Sequence, residues 1–429
     1  MPHRDLPPEL VDDLFRHRYA RMVSSLCGVL GPARLDLVED VVQEAMMRAL
    51  RVWPAEGVPD KPEAWLFRVA RNLALDSLRR QKIADRVGDE LQRWAAAEQA
   101  HGTADLDPEP GEIDDDTLRM LFLCAHPAVP VDARVPLILK SVCGLGVPAI
   151  ARALLKKDAT IAQRLVRAKA KLQASDAAFV MPAADELPER TQVVLQVLYL
   201  MFNEGYRAHA GEQLTRSDLV DEAVRLCALL LERPDTECPQ AHALLALMLM
   251  LGARMPARTD PRGDLVTLAQ QDRSRWNRHW LSCGFHHFRL SIGGERLTPW
   301  HCEAAIASTH AIAATYADTD WQRILAEYDR LLTIAPSPVV RLNRAVAVGK
   351  VHGAQAGLQE LAGLEHDKAL DDYFLLGAVT AQLHWERGDH ARAAAALERA
   401  LEQPCSEPER RLLERRLEAC RNGDAPEAW

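Results

Sequence analysis

The segment from residue 61 to residue 82, KPEAWLFRVARNLALDSLRRQK, constrains the fold more than any other part of the chain. Leu66, Val69, Ala70 and Leu73 recur at helical spacing, so one face of a predicted helix is apolar and must pack against a partner. Pro62 suits the first turn of that helix. The opposite face is polar and mostly cationic: Arg68, Arg71, Asn72 and Arg79, followed by Arg80 and Lys82. The pattern fits a nucleic-acid-binding face, and it also fits a solvated face.

The preceding segment, residues 35 to 52, predicts a second amphipathic helix with a different outer face. Its inward positions are apolar: Val38, Val41, Val42, Ala45, Met46 and Ala49. Its outward positions form a largely acidic stripe: Glu39, Asp40, Gln43, Glu44 and Arg48. An acidic stripe next to a basic helix favours two partners on two faces, one protein and one nucleic acid. The alternative is that both faces contact only solvent.

The net charge of −9 argues against nucleic-acid binding by the chain as a whole, but charge is segregated along the sequence. Residues 86 to 116 hold two basic and ten acidic side chains, with two prolines near the end. They predict a linker that cannot form a core. Residues 117 to 173 hold ten basic and two acidic side chains. Positive charge concentrated on a small segment is the electrostatic signature of a nucleic-acid-binding domain.

Residues 144 to 171, GLGVPAIARALLKKDATIAQRLVRAKAK, predict a helix-turn-helix. In the first helix Pro148 occupies an early position, and Ile150 and Leu154 point inward; Asp158 is the predicted N-cap of the second helix. The buried stripe of that second helix is predicted to be Ile161, Leu165, Ala168 and Leu172. The opposite face holds Thr160, Gln163, Arg164, Arg167 and Lys171. Such a helix can place its N-terminal residues against base edges in the major groove and its later cations on phosphates.

Several classes of protein are disfavoured by what the sequence lacks. The longest apolar runs, which begin at Val193 and Ala243, are about ten residues and too short to cross a bilayer. The nine cysteines never form a CxxC motif, which predicts reduced thiols in a cytoplasmic protein. Two His and Cys groupings, Cys283 with His286 and His287, and Cys124 with His126, lack a second pair at metal-site spacing. The sequence shows none of the familiar catalytic or nucleotide-binding motifs, so we expect no enzyme activity, metal or cofactor.

Residues 36 to 53, DLVEDVVQEAMMRALRVW, followed by residues 61 to 80, resemble regions 2.2 to 2.4 of sigma-70-type transcription initiation factors, in the extracytoplasmic-function (ECF) branch. The helix-turn-helix at 144–171 resembles region 4 of the same family. The resemblance implies that Asp40, Gln43, Glu44 and Arg48 bind core RNA polymerase. It implies that promoter DNA is bound at the −10 element by Arg68, Arg71, Asn72, Asp76, Arg79 and Arg80. It implies that the −35 element is bound by Thr160, Gln163, Arg164, Arg167 and Lys171. Trp65 is expected in the core rather than on a base.

A minimal ECF factor ends near residue 175, whereas this chain continues for some 250 residues. Residues 181–209 and 271–280 resemble the extension of an ECF group that carries a C-terminal tetratricopeptide (TPR) region. Pro336 and Pro404 lie 68 residues apart, and Gly353 and Gly388 lie 35 apart. A period near 34 is that of the TPR helix pair. The predicted units span 303–337, 338–371 and 372–405, with a capping helix from Glu407 to Asn422.

These observations predict an all-α protein in five parts. They are sigma region 2 at 10–85, the acidic linker at 86–116, region 4 at 117–175, a helical extension at 180–295 and TPR-like repeats at 299–422. The resemblance implies promoter-specific transcription initiation, with the extension modulating activity through a protein partner or a contact within the chain. Two alternatives remain open at this point: a DNA-binding regulator that never acts as a sigma subunit, and a TPR scaffold with a vestigial DNA-binding part.

Overall fold

The computed structural model describes residues 18–80, 110–154, 156–175, 177–206, 217–294, 296–364 and 366–424. Within these ranges regular secondary structure is helical, apart from one isolated bridge between Thr259 and Leu265. The all-α prediction is therefore confirmed. The chain divides into two compact units, Met1–Met201 and Phe202–Trp429.

The first three α-helices that the structure describes have ends that follow local sequence signals. They are α1 (Tyr19–Leu30), α2 (Leu35–Glu56) and α3 (Pro62–Arg80). Gly31 ends α1 with a φ of +82°, a conformation that glycine adopts without strain, and Gly57 ends α2 in the same way with a φ of +89°. Helix α2 continues past the predicted end at Val52, because Trp53 is buried and holds the last turn against the core.

Helix α3 packs against α2 through the apolar face that the sequence predicts. Leu66, Ala70 and Ala74 are fully buried. Leu78, one turn after Ala74, is only 4% exposed. Val69 and Leu73 are only partly buried, so they flank this stripe. At about 25 cal/mol per Å² of apolar surface, burying such a stripe stabilises the helix by several kcal/mol.

Helix α4 (Pro110–Cys124) begins inside the segment that was predicted to be an acidic linker. The residues of that segment before Pro110 lie outside the described part of the chain. Asp116, the last residue of that segment, accepts a hydrogen bond at 2.8 Å from Arg119, one turn further along α4. The later residues Met120–Cys124 are buried, and α4 packs against α1.

The predicted helix-turn-helix is present. Helix α5 (Val131–Ser141) precedes it, and its two helices are α6 (Val147–Ala153) and α7 (Asp158–Gln173). The buried side chains of α7 are the four predicted ones, Ile161, Leu165, Ala168 and Leu172. The predicted N-cap at Asp158 is wrong. The N-cap is Lys157, which has an extended backbone conformation and whose side chain makes no capping hydrogen bond. Asp158 is instead the first helical residue.

Helix α8 (Leu187–Tyr206) spans the boundary between the units. In the second unit α9 (Ser217–Leu231), α10 (Pro239–Gly252), α11 (Arg278–Ser291) and α12 (Pro299–Ile312) follow. Helix α10 is apolar on every side and buried along nearly its whole length, with α9, α11 and α12 packed around it. This explains the apolar run that begins at Ala243, because a helix that is hydrophobic all round is a core helix.

The rest of the second unit is a succession of helices. They are α13 (Trp321–Ile334), α14 (Pro338–His352), α15 (Ala354–Leu361), α16 (Leu375–Glu386), α17 (His390–Leu401) and α18 (Glu407–Asn422). Each packs on the next, and α14 also contacts α16. Gly353 and Gly388 make the tight turns α14–α15 and α16–α17 with φ of +88° and +77°, which explains their spacing in the sequence. Helix α18 has the predicted bounds and begins with a capping box of Ser406 and Glu409.

Candidate nucleic-acid interface

The outer face of α2 presents the side chains that were predicted to bind polymerase. Asp40, Gln43 and Arg48 are exposed, and Glu44 is partly exposed on the same stripe. Glu44 accepts hydrogen bonds from Arg48 at 3.3 Å and from Arg51 at 2.8 Å. These bonds, that from Arg48 most of all, lower the pKa of the Glu44 carboxyl and keep it ionised. Such exposed pairs add little stability, so the charges are available to a partner.

An exposed methionine lies within this stripe. Met47 keeps 44% of its surface accessible and lies one turn after Gln43 and Glu44. An apolar side chain surrounded by charged ones is a common arrangement at the centre of a protein interface. Sequence reasoning placed no functional residue at Met47, although its position in the outer stripe could have been read from the helical period.

The solvent face of α3 carries a separate set of polar side chains. Arg68, Asn72 and Asp76 are exposed at successive four-residue intervals, while Arg71 is partly buried. Arg79 and Arg80 belong to the last turn of α3, and their side chains lie outside the described residues. Of the four predicted α3 side chains that the structure describes, three are therefore exposed.

Trp65, near the start of α3, is only partly buried. Its ring meets the buried ring of Trp53 edge to face, with 5.5 Å between the ring centroids. Aromatic pairs of this geometry add stability beyond the area that they bury. The contact agrees with the expectation that Trp65 belongs to the core side of α3.

Helix α7 presents the predicted region 4 side chains opposite its buried stripe. Gln163, Arg167 and Lys171 are exposed, while Thr160 and Arg164 are partly exposed. Asp132, in the first turn of α5, pairs with both arginines: 3.2 Å from Arg164 and 2.8 Å from Arg167. Two of the five predicted DNA contacts are therefore held by one carboxylate that competes with a phosphate for the same guanidinium groups.

A polar contact that the sequence did not reveal joins α2 to α5 and α7. Glu39 was predicted to face outward with the rest of the acidic stripe, and this is wrong: it is only 6% exposed. Lys169 of α7 donates to Glu39 at 2.6 Å and to Asp36 at 2.8 Å, and the Ser141 hydroxyl donates to Glu39 at 2.6 Å. Burial alone would lower the pKa of Lys169, but its two carboxylate partners outweigh burial and raise it.

Both partners of this contact lie at the edge of an apolar stripe, which is the only signal that the sequence offers. Lys169 directly follows the buried Ala168, and Glu39 directly follows the buried Val38. A charged residue at such an edge can turn toward either solvent or a neighbouring helix. The partner, more than 100 residues away, cannot be read from the helical period.

In the second unit, Cys283 and His287 each lie beside a histidine outside their predicted grouping. Cys283 lies 3.7 Å from His279, and the Nδ1 atoms of His287 and His242 lie 2.9 Å apart. Within the described ranges no group of three or more His, Cys, Asp or Glu side chains is arranged to hold a metal ion. Of the helices in the same ranges, none combines the length and the apolar character needed to cross a membrane.

Comparison with known families identifies two segments of the first unit. Residues 15–83, which include α1 to α3, match sigma-70 region 2. Residues 119–172, which include α5 to α7, match sigma-70 region 4. The chain belongs to the sigma-70 family. Its regions 2 and 4 are those of an RNA polymerase sigma factor that acts in transcription initiation, so core polymerase and promoter DNA are its partners.

The C-terminal part is similar to proteins without an assigned role. Residues 190–292 match a family of unknown function, DUF6596. The chain is 38% identical over 376 residues to Uncharacterized protein R00370 of Rhizobium meliloti (strain 1021), a match that covers 86% of each chain. The similarity to that protein thus extends well beyond regions 2 and 4. No solved structure matches the chain.

Proposed function

We propose that the chain is a sigma factor of the ECF branch that directs core RNA polymerase to specific promoters. In this proposal the stripe of Asp40, Gln43, Glu44 and Arg48 on α2 binds polymerase. The face of α3 with Arg68 and Asn72 holds the −10 element, and α7 reads the −35 element. The observation that carries the proposal is that the exposed polar sets of α2 and α3 occupy separate helices of one domain, so both partners can be bound at once.

Holding a −10 element requires a surface that stabilises unpaired bases. A basic face that follows the phosphates, together with stacking or pockets for extruded bases, provides about 1 to 3 kcal/mol per base. The α3 face offers Arg68 for phosphate and Asn72 for a base edge. The part of this face at Arg79 and Arg80 is included in the proposal from the sequence resemblance.

We further propose that the extension modulates initiation. Its successive helix pairs from α12 to α17, closed by α18, fit a TPR-like stack, whose concave surface is suited to a protein partner. A contact within the chain is the rival mode of action. Promoter DNA bound more tightly by residues 1–175 than by the full chain would favour masking by the extension, and equal affinity at low salt would exclude it.

The assignment of α2 is tested by charge reversal. We expect Asp40→Lys combined with Glu44→Lys to weaken binding of the full chain to core polymerase by at least about tenfold, since like charges would then face the polymerase surface that the acidic stripe fits. Glu56→Lys is the matched control, because Glu56 is exposed on the same helix but lies outside the stripe.

Duplex DNA binding by both variants, measured by fluorescence anisotropy, separates the two candidate functions. For a regulator that never engages polymerase, the double variant and the Glu56→Lys control would show no difference in polymerase binding. Loss of polymerase binding with retained DNA binding is the result that we expect of a sigma subunit.

A further inference from the structure

A non-helical segment of the second unit, residues 258–271, lies against the helices at the end of the chain. We call this segment the strap. It faces α14, α16 and α18 across a cleft of about 570 Å³. These three helices alternate with α15 and α17 along the chain, and in a stack of helix pairs the alternate helices line one binding face. The strap therefore lies over the face that a partner of such a stack would use.

Two arginines of α18 hold the strap through one carboxylate. Arg411 Nε donates to Asp264 Oδ1 at 2.5 Å, and Arg415 Nη1 lies 3.4 Å from Asp264 Oδ2. The two arginine side chains keep 36% and 35% of their surface accessible. Ion pairs as exposed as these add little stability. Helix α18 thus defines a position for one carboxylate, and the strap can leave that position at a small cost in free energy.

The strap presents Asp264 from a turn that is held by its own hydrogen bonds. Asp260 Oδ1 accepts from the backbone N–H groups of Arg262 and Asp264, both at 2.8 Å. The Val266 N–H donates to the Arg258 carbonyl at 2.8 Å. Because these bonds do not involve α18, a separate peptide with this sequence can form the same turn.

The strap does not fill the space that it covers. Leu265, Val266 and Leu268 line the cleft from the strap, and all three are only partly buried. The opposite wall includes the apolar side chains of Leu375, Ala378, Leu412 and Leu413. Protein interiors are close-packed and contain few voids larger than a water molecule. A cleft of this volume, with apolar side chains on both sides, therefore has room for larger side chains than those of the strap.

We propose that this face of α14, α16 and α18 is a docking surface for an extended segment of a partner protein, which the strap occupies until the partner displaces it. The partner segment carries a carboxylate followed directly by a bulky apolar residue. Its carboxylate takes the place of Asp264 between Arg411 and Arg415, and its apolar side chain fills the cleft. This inference rests on the proposed role of the extension in binding a protein partner, and it adds the chemistry of that partner and the segment that it displaces.

The test measures binding of a fluorescein-labelled peptide of residues 258–268, RTDPRGDLVTL, to the full chain by fluorescence anisotropy. The tethered strap competes with the peptide at a high effective concentration, so we expect weak binding to the wild-type chain. Asp264→Lys in the chain replaces attraction to Arg411 and Arg415 by repulsion, and should tighten peptide binding about fivefold or more. Asp372→Lys is the matched control, because Asp372 is exposed in the same unit and does not line the cleft.

Further changes locate the peptide on the chain with the released strap. Arg411→Gln added to Asp264→Lys should weaken peptide binding about threefold or more, since one ion pair is lost. Arg421→Gln added to the same chain should not, because Arg421 pairs with Glu398 and not with the strap. In the peptide, Asp264→Asn should weaken binding by a similar factor, and Leu265→Phe should tighten it because the cleft has room for the larger ring.

The proposal is overturned by any of three results: no saturable binding to the Asp264→Lys chain, equal affinity of the peptide and its Asp264→Asn form, or no gain from Leu265→Phe. A dimer of the Asp264→Lys chain that the peptide dissociates, detected by analytical ultracentrifugation, would also overturn it, since a second copy is then the occupant. Circular dichroism shows whether each variant folds. If the Arg411→Gln chain does not fold, the comparison of peptides decides on its own. The assay contains neither polymerase nor DNA, so its failure is distinct from failure of the sigma assignment.

Discussion

Glu39 shows how one residue can link two domains. Its carboxylate is buried beneath Lys169 and Ser141, so the ion pair is shielded from solvent much more than the pairs on the outer face of α2. A buried pair is not strongly stabilising in itself, but the loss of one partner leaves a buried charge uncompensated. Regions 2 and 4 are therefore coupled through this contact in the first unit.

We predict that Lys169→Met, which leaves the buried Glu39 carboxylate without its cation, lowers the free energy of unfolding of the first unit by about 3 to 5 kcal/mol. If α2 and α7 move apart so that water reaches Glu39, the loss is smaller. Combining Lys169→Met with Glu39→Gln should recover part of the loss, because no buried charge is then left alone. Hydrogen exchange of the α2 and α7 peptides in the full chain measures both effects. Lys171→Met, at an exposed position of α7, should change neither, and strictly additive effects would contradict the coupling.

Asp132 pairs with Arg164 and Arg167, two of the α7 residues that are proposed to contact DNA. We predict that Asp132→Asn tightens duplex DNA binding by the full chain about two- to fivefold at low salt, since an exposed ion pair of about 0.2 to 1 kcal/mol no longer has to be broken. Fluorescence anisotropy gives the affinity, and Asp185→Asn, an exposed position outside the helix-turn-helix, is the control. Weaker binding would instead show that Asp132 positions the arginines for DNA.

At the level of single helices, local sequence was a good guide. The four buried residues of α7, the break at Gly31 and the bounds of α18 all follow from short-range signals: a 3.6-residue period, a glycine with positive φ and a capping box. These signals act within one or two helical turns, so they can be read directly from the sequence.

What the sequence could not provide depends on distant residues or on small backbone shifts. The burial of Glu39 requires Ser141 and Lys169, which are brought to α2 only by the tertiary fold. The start of α7 at Asp158 rather than after it depends on the extended backbone of Lys157.

Gly377 lies at a close approach of α16 to α17. A Cβ atom there would lie 2.9 Å from both the Ala396 carbonyl oxygen and the Ala400 Cβ, so neither neighbour can move aside cheaply. We predict that Gly377→Val lowers the free energy of unfolding of the second unit by about 1 to 3 kcal/mol. Urea denaturation measures the loss. Ala395→Val, on the exposed side of α17, controls for the β-branched side chain, and equal midpoints for the two variants would contradict the packing.

Considered as a whole, the protein should lose stability as pH falls below neutrality. Burial, together with neighbouring positive groups, lowers the pKa of His310 to about 3 and that of His287 to about 4. The unfolded chain then binds protons more readily than the folded one below about pH 6.5. The stabilisation is therefore complete above that pH and is lost as pH falls toward 4.

For His310 this loss approaches about 1.4 kcal/mol per pH unit between pH 6 and pH 5. Urea midpoints measured from pH 7.5 to pH 5 should show this slope, and His310→Leu should reduce it. His352→Leu, at an exposed position of α14, controls for the substitution itself. An unchanged slope in His310→Leu would show that His310 does not contribute.

The central claim concerns the whole molecule: one chain binds core polymerase and selects promoters. The most direct test is run-off transcription on genomic DNA of the source organism with purified core polymerase and the full chain, followed by sequencing of the RNA 5′ ends. We predict start sites that share −10 and −35 elements and that disappear with the Asp40→Lys and Glu44→Lys double variant. Transcripts without shared upstream elements, or initiation equal to that of core polymerase alone, would contradict the sigma assignment.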